Sequence, residues 1–242
     1  MPAPAHVAPA LDDNHRHLKL SVFADGLRLV YTVFFGQVPG AAQRRAIDAN
    51  RDGVLSDDET DSFARRLADE VTAQVQVSAD GVALPVEFAQ RSVGGAAAGT
   101  AGAFSVDLVA SFCLPPAGAR RVVLRDRFAV PRPGETELHL EPGPGITVTS
   151  ASIGGVRAKG NAFRFAGPVP ALGEPGLALE VAIDAGAAGG VSCPPPSSGR
   201  GAGAGPASIG GAGGIGGLGV LALALAGGAA LIVARLRRRA RG

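Results

Sequence analysis

Short apolar-alternating runs recur along most of this chain, and Gly or Pro cuts nearly every one of them. The runs are HLKLSVF (17–23), LRLVYTVFF (27–35), FSVDLVASFCL (104–114), RVVLRDRF (121–128), TELHL (136–140), ITVTSASI (146–153), the short run 162–165, and LALEVAI (177–183). Alternation places every second side chain on one face, so each run reads as a half-buried strand. Asp25-Gly26 and Asp80-Gly81 stand between alternating runs as hairpin signals, the second joining VQV (75–77) to 82–88. Breaks at about 8–12-residue intervals are the rhythm of a sandwich. The 36 Gly and 18 Pro therefore serve as punctuation, and they argue against a helical bundle. Two segments interrupt the pattern. A short helix is expected at 41–47, after Pro39-Gly40 ends the second strand. A longer one is expected at 56–73, where Phe63, Leu67 and Val71 fall on one face and acidic residues fill the first turn. The expected fold class is α+β, mostly β: an antiparallel sandwich-like domain with a helical insertion.

The C-terminal part follows other rules. Residues 209–234 carry no charge, and Arg235, Arg237, Arg238, Arg239 and Arg241 follow at once. Residues 215–234 would span about 30 Å as a helix, the thickness of a bilayer's hydrocarbon core. A single transmembrane helix is expected there. The Arg cluster places the C-terminus in the cytoplasm and residues 1–208 outside. Met1 to Ala10 lacks the basic and apolar regions of a signal peptide, although its Ala-Pro-Ala triplets resemble the end of one, so the export reading expects a signal encoded upstream. Residues 1–199 carry 17 basic and 21 acidic side chains. That mildly acidic body argues against nucleic acid as a partner.

One stretch carries chemistry: Asp48-Ala-Asn50-Arg-Asp52-Gly53-Val54-Leu55-Ser56-Asp57-Asp58-Glu59. It satisfies D-x-[DN]-x-[DN]-G-x₅-E at every constrained position and resembles the EF-hand calcium loop. Calcium takes six to eight oxygens at about 2.3–2.6 Å. Asp48, Asn50 and Asp52 would offer side-chain oxygens, Val54 its carbonyl, Ser56 a water-bridged contact and Glu59 two carboxylate oxygens. Gly53 would make the sharp turn, and Leu55 would pin the loop to the core. Three ligand carboxylates beside Arg51 suggest modest affinity, suited to a calcium-rich space outside the cytoplasm. Ser56 and Glu59 also fit a capping box, so a plain helix cap is the competing reading. No second loop of this kind occurs, and Met1 is the sole methionine. A site that staples the fold is therefore expected, rather than a sensor that opens a Met-rich groove.

A wider similarity starts at Asp13, in DNHRHLKLSV…GLRLVYTVFFGQVPGAAQRRAIDANRDGVLSDDE followed by a helix and VQVSADGVAL. This stretch resembles the extracytoplasmic domain found ahead of bacterial nickel/cobalt permeases of the hydrogenase- and urease-accessory type, over residues 13–185 and most strongly to 88. The resemblance implies an exported calcium-binding β-rich module. Those permeases span the membrane several times and this chain once, so transport does not carry over. The tail also resembles bacterial C-terminal sorting signals, which implies surface sorting as an alternative to a permanent anchor.

The expected divisions are a disordered 1–11, a hairpin/EF-hand/hairpin module at 12–92, a β-rich part at 93–185, a Gly/Pro-rich linker at 186–214, the span at 215–234 and a basic tail at 235–242. His15 and His17 share one face of a strand and, with His6, could bind nickel or zinc; solvated histidines are the simpler reading. Cys113 and Cys193 could bridge in an oxidising compartment, but a free buried thiol and a free linker thiol is the reading the sequence favours. No G-x-S-x-G elbow or Cys–His pair occurs, and His139 stands alone in its run, so no enzyme activity is expected. The functional expectation is a membrane-anchored, exported calcium-binding module with a structural or accessory role, its partner a permease or envelope protein. The alternative is a nickel/cobalt-handling accessory to a separate permease.

Overall fold

The computed structural model describes residues 13–95, 102–168, 172–191 and 193. In chain order the elements are β1 (Asn14–Phe23), β2 (Gly26–Phe35), α1 (Gln37–Ile47), α2 (Asp57–Thr72), β3 (Val75–Ala79), β4 (Val82–Leu84), β5 (Phe88–Gly94), β6 (Phe104–Cys113), β7 (Ala119–Asp126), β8 (Pro133–Pro142), β9 (Ile146–Ile153), β10 (Val156–Arg157), β11 (Phe163–Pro168) and β12 (Leu177–Ile183). They form two sheets, ordered β11-β8-β1-β2-β6-β5 and β10-β9-β12-β7-β3-β4. The fold is α+β and mostly β. Both sheets draw strands from either side of residue 92, so the two expected halves build one sandwich together.

Parity decides the core. Leu18, Leu20 and Val22 of β1 point inward with Leu27, Leu29, Tyr31 and Val33 of β2, and all are at most 1% exposed. Val122, Leu124, Leu177, Leu179 and Val181 of the second sheet are equally buried. Removing each such side chain from water is worth about 1.5–3 kcal/mol. Most strand pairs are antiparallel, as expected. The β1–β8 pair is parallel, with Leu18 beside Leu138 and Leu20 beside Leu140. A parallel neighbour needs a long crossover, and residues 24–132 supply it.

Three local differences from the sequence reading have physical causes. Asp80 and Gly81 have φ of 52° and 81°, the pair of left-handed residues that a two-residue type I′ hairpin needs. In the first hairpin, however, Phe23 pairs with Gly26, so Ala24-Asp25 form the turn. Gly26 is there for space: a Cβ would lie 2.1 Å from the Phe112 carbonyl oxygen. The expected strand 82–88 is divided, because Pro85 cannot donate to a ladder; β4 ends at Leu84 in one sheet and β5 begins at Phe88 in the other. The first helix starts at Gln37, with Pro39 in its first turn. There its missing N–H costs nothing, since the first-turn donors have no partner within the helix.

The two thiols read as free are joined. Cys113 and Cys193 form a disulfide with Cα atoms 5.6 Å apart. Sequence proximity to β6 or to a linker could not reveal it, because the chain returns to the β1–β2 turn only through tertiary packing. Val191 is 8% exposed, and the Asp25 carboxylate accepts from the backbone N–H groups of Gly190 (2.9 Å) and Val191 (3.3 Å). The expected N-terminal tail at 1–11, span at 215–234 and basic tail at 235–242 lie outside the described residues. Among the described residues, no helix is long and apolar enough to cross a membrane.

Candidate functional site

The loop 48–56 hangs between two anchored helices. On α2, Phe63, Leu67 and Val71 are buried as their spacing predicts. The Phe63 ring lies 5.9 Å from Phe35 and 6.1 Å from Phe104, and those two rings stack at 4.7 Å. On α1, Ile47 is 4% exposed, and Leu55 packs partly buried against the core. Arg44, a polar residue where an entering helix usually carries an apolar one, is buried too. Its guanidinium donates to the carbonyls of Gly95, Gly102 and Ala103 and lies 5.1 Å above the Phe104 ring. The side chain is thus both a packing element and a clamp on the connection from β5 to β6.

Within the loop, side-chain oxygens gather the backbone. Asp48 accepts from the N–H of Asp52 (3.2 Å) and of Gly53 (2.9 Å). Asn50 Oδ1 accepts from Asp52 N–H at 2.9 Å, and its Nδ2 donates to Asp52 Oδ2 at 2.9 Å. Asp52 Oδ1 accepts from Val54 N–H at 2.8 Å. Arg51 and Gly53 take left-handed conformations, φ 59° and 81°. A Cβ on Gly53 would meet nothing within 4 Å, so conformation alone, not space, favours glycine there.

Glu59 ties the two ends together. Its Oε1 accepts from Ala49 N–H (2.8 Å) and Asn50 N–H (3.4 Å). Its Oε2 accepts from the Ser56 N–H (3.0 Å) and hydroxyl (2.8 Å), while Ser56 Oγ accepts from Glu59 N–H. The reciprocal Ser56–Glu59 pair is a complete capping box at the start of α2. The hydrogen bonds from Ser56, with those from Ala49 and Asn50, hold the Glu59 carboxyl down at about 2.

The donor set is all oxygen: three carboxylates, an amide, a hydroxyl and the Val54 carbonyl. That chemistry fits a hard divalent cation, and each carboxylate keeps lone pairs beyond those its N–H partners use. The same hydrogen bonds also serve the helix cap. Among the described residues, no group of three or more His, Cys, Asp or Glu side chains stands drawn together as for a metal ion. The loop is wound and internally bonded, with its carboxylates directed at its own backbone.

The histidines stand apart from this loop. His15 and His17 do share the outer face of β1. His15 Nδ1 accepts from Glu135 N–H, and its ring lies 6.2 Å from Phe34. His17 Nδ1 lies 3.3 Å from Glu137 Oε2. His139 is the register partner of Lys19, and His6 lies outside the described residues.

A buried polar cluster lies outside the candidate residues. Arg16 of β1 is 1% exposed and meets Asp126 of β7, also 1% exposed, at 2.5 Å. Asp126 Oδ2 accepts from the Tyr31 hydroxyl at 2.9 Å, and Oδ1 accepts from Phe128 N–H at 2.9 Å. Arg16 also donates to the Phe128 carbonyl and to Thr136 Oγ1. Burial pushes the Asp126 carboxyl upward against the pull of Arg16, and pushes the Tyr31 hydroxyl well up. The cluster crosses from one sheet to the other. The Arg16–Asp126 pair thus ties β1 of the first sheet to β7 of the second. Protein-family models and curated proteins were compared with the chain, and none matches.

Proposed function

We propose that this chain is an exported, membrane-anchored module that binds calcium at Asp48–Glu59 and uses the ion to hold its helical insertion in place. Its role is structural or accessory and not catalytic. The observation that carries the reading is Glu59: one carboxylate spans the loop, from Ala49 and Asn50 at its beginning to Ser56 at its end. The residue expected to give calcium two oxygens already sits where both ends of the loop meet. The Cys113–Cys193 bond supports the compartment, because disulfides persist in oxidising spaces outside the cytosol. The uncharged stretch 209–234 and the Arg cluster after it support the anchor and its direction.

Calorimetric titration of the detergent-solubilised full chain with calcium chloride tests the proposal. One site with modest affinity is expected, lost in Glu59→Gln. Absence of binding heat at millimolar calcium at two temperatures would reduce the loop to a helix cap.

A further inference from the structure

At the β1–β2 turn, three parts of the chain are knotted together. Cys113 is the last residue of β6, and its disulfide partner Cys193 lies 80 positions later. After β12 the chain is first held by Gly145, whose carbonyl accepts from Asp184 N–H at 2.9 Å. It then reaches the Asp25 carboxylate through the N–H groups of Gly190 and Val191. The Asp25 carbonyl accepts from Leu114 N–H at 2.9 Å, which ties the end of β6 to the same turn. Segment 184–191 is thus a strap held by a few hydrogen bonds and by the packing of Ala187 and Val191, with a covalent bond just beyond it.

We infer that the Cys113–Cys193 bond is a load clamp, which passes tension arriving along the C-terminal tether directly into β6 and spares the strap and β12. This inference rests on the anchor reading, since an anchored domain that grips a partner is pulled from its tether. The geometry suits the task. β6 is paired on both sides, and its ladder with β2 runs from Gly26–Cys113 to Phe35–Phe104. The clamp enters at the turn end of that ladder. Asn14, where β1 begins, lies at the opposite end, because His15 pairs with Phe34. Tension between Asn14 and Cys113 runs along the strands, so the cross-strand hydrogen bonds share it together. Without the clamp, the same tension would open the Asp25–Gly190 and Asp25–Val191 bonds one at a time and then reach β12.

The test is optical-tweezers stretching of the full chain in detergent, held at both termini. Three samples are compared: the oxidised protein, the same folded molecules after reduction by a phosphine, and Cys113→Ser/Cys193→Ser. Loss of the bond should add an early low-force step and lengthen the total extension by about 280 Å, for about 80 enclosed residues at ~3.5 Å each. Asp25→Ala should weaken that early step in the reduced protein and leave the oxidised protein's rupture force unchanged. The inference is overturned if the extension lengthens, proving the bond was cut, while the first rupture force stays the same. A drop in the oxidised protein's rupture force on Asp25→Ala also overturns it, because the strap would then carry load. Membrane fractionation of the full chain reads the anchor separately: a chain that fails to partition with membranes contradicts the anchor reading and leaves the force comparison intact.

Discussion

Replacing Asp126 by Ala should be among the most damaging single changes in this protein. The carboxylate faces Arg16 at 2.5 Å in a site where both residues are 1% exposed. Its removal leaves a guanidinium that cannot shed its proton and has lost the carboxylate it faces, beside partners that include the Phe128 carbonyl, the Tyr31 hydroxyl and Thr136. Breaking a buried pair from one side costs about 3–5 kcal/mol. The Phe128 N–H also loses its acceptor, adding about 1 kcal/mol or more. At about 2–4 °C per kcal/mol for a domain of this size, the thermal midpoint should fall by roughly 8–24 °C. Arg16→Met should cost less, because the stranded Asp126 can take up a proton, which its burial already favours. A raised carboxyl contributes stability below its unfolded value and loses it as pH rises. The Arg16→Met protein should therefore weaken as pH rises above about 4. Arg16→Met/Asp126→Ala should be no less stable than Asp126→Ala alone, a coupling of about 2 kcal/mol or more. Scanning calorimetry of the four proteins at several pH values completes the cycle. Costs that add within about 0.5 kcal/mol would refute the argument, since independent sites behave that way.

Alkaline phosphatase fused at Gly201, expressed with the native upstream DNA, should be active; an inactive fusion with an active cytoplasmic reporter at the same point would reverse the topology. Acid should loosen the start of α2 through Glu59. Its carboxyl is held at about 2 in the folded chain against an ordinary 4.5, so its contribution is complete above about 4.5 and is lost as pH falls toward 2. Backbone amide exchange at Ala49 and Ser56 should accelerate over that window relative to neutral pH, after correction for intrinsic rates. A Glu59→Gln protein should show no such step, and a step of equal size in that variant would remove Glu59 as the cause.

Alternation made most of the strands legible, and the i, i+4 spacing of Phe63, Leu67 and Val71 gave the face of α2 correctly. The pairing of β1 with β8 was not legible, because alternation says which way side chains point and nothing about which strand lies alongside. The Arg16 cluster could have been found. Arg16 shares parity with Leu18 and Leu20, Tyr31 with Leu29 and Val33, Thr136 with Leu138, and Asp126 with Leu124. Four polar residues at inward positions announce a buried network, although they do not say which meets which. Arg44 was visible as an anomaly on the entering helix, but its carbonyl partners come from a distant connection. Of the candidate site, the sequence showed the loop, its glycine and its cap. The direction in which each carboxylate turns depends on hydrogen bonds that only the folded loop supplies.

Thermal unfolding of the full chain, in calcium and in chelator, tests the central claim most directly. Binding to the native state alone stabilises by RT ln(1 + [Ca²⁺]/Kd), about 2.7 kcal/mol at a hundredfold excess over Kd. At about 2–4 °C per kcal/mol, the midpoint should rise by roughly 5–10 °C. Glu59→Gln should abolish the rise. Asp61→Asn, whose side chain pairs with Arg65 one turn along α2 and outside the loop, should keep it. Equal midpoints in calcium and chelator for the unaltered protein, at calcium up to several millimolar, would contradict the account.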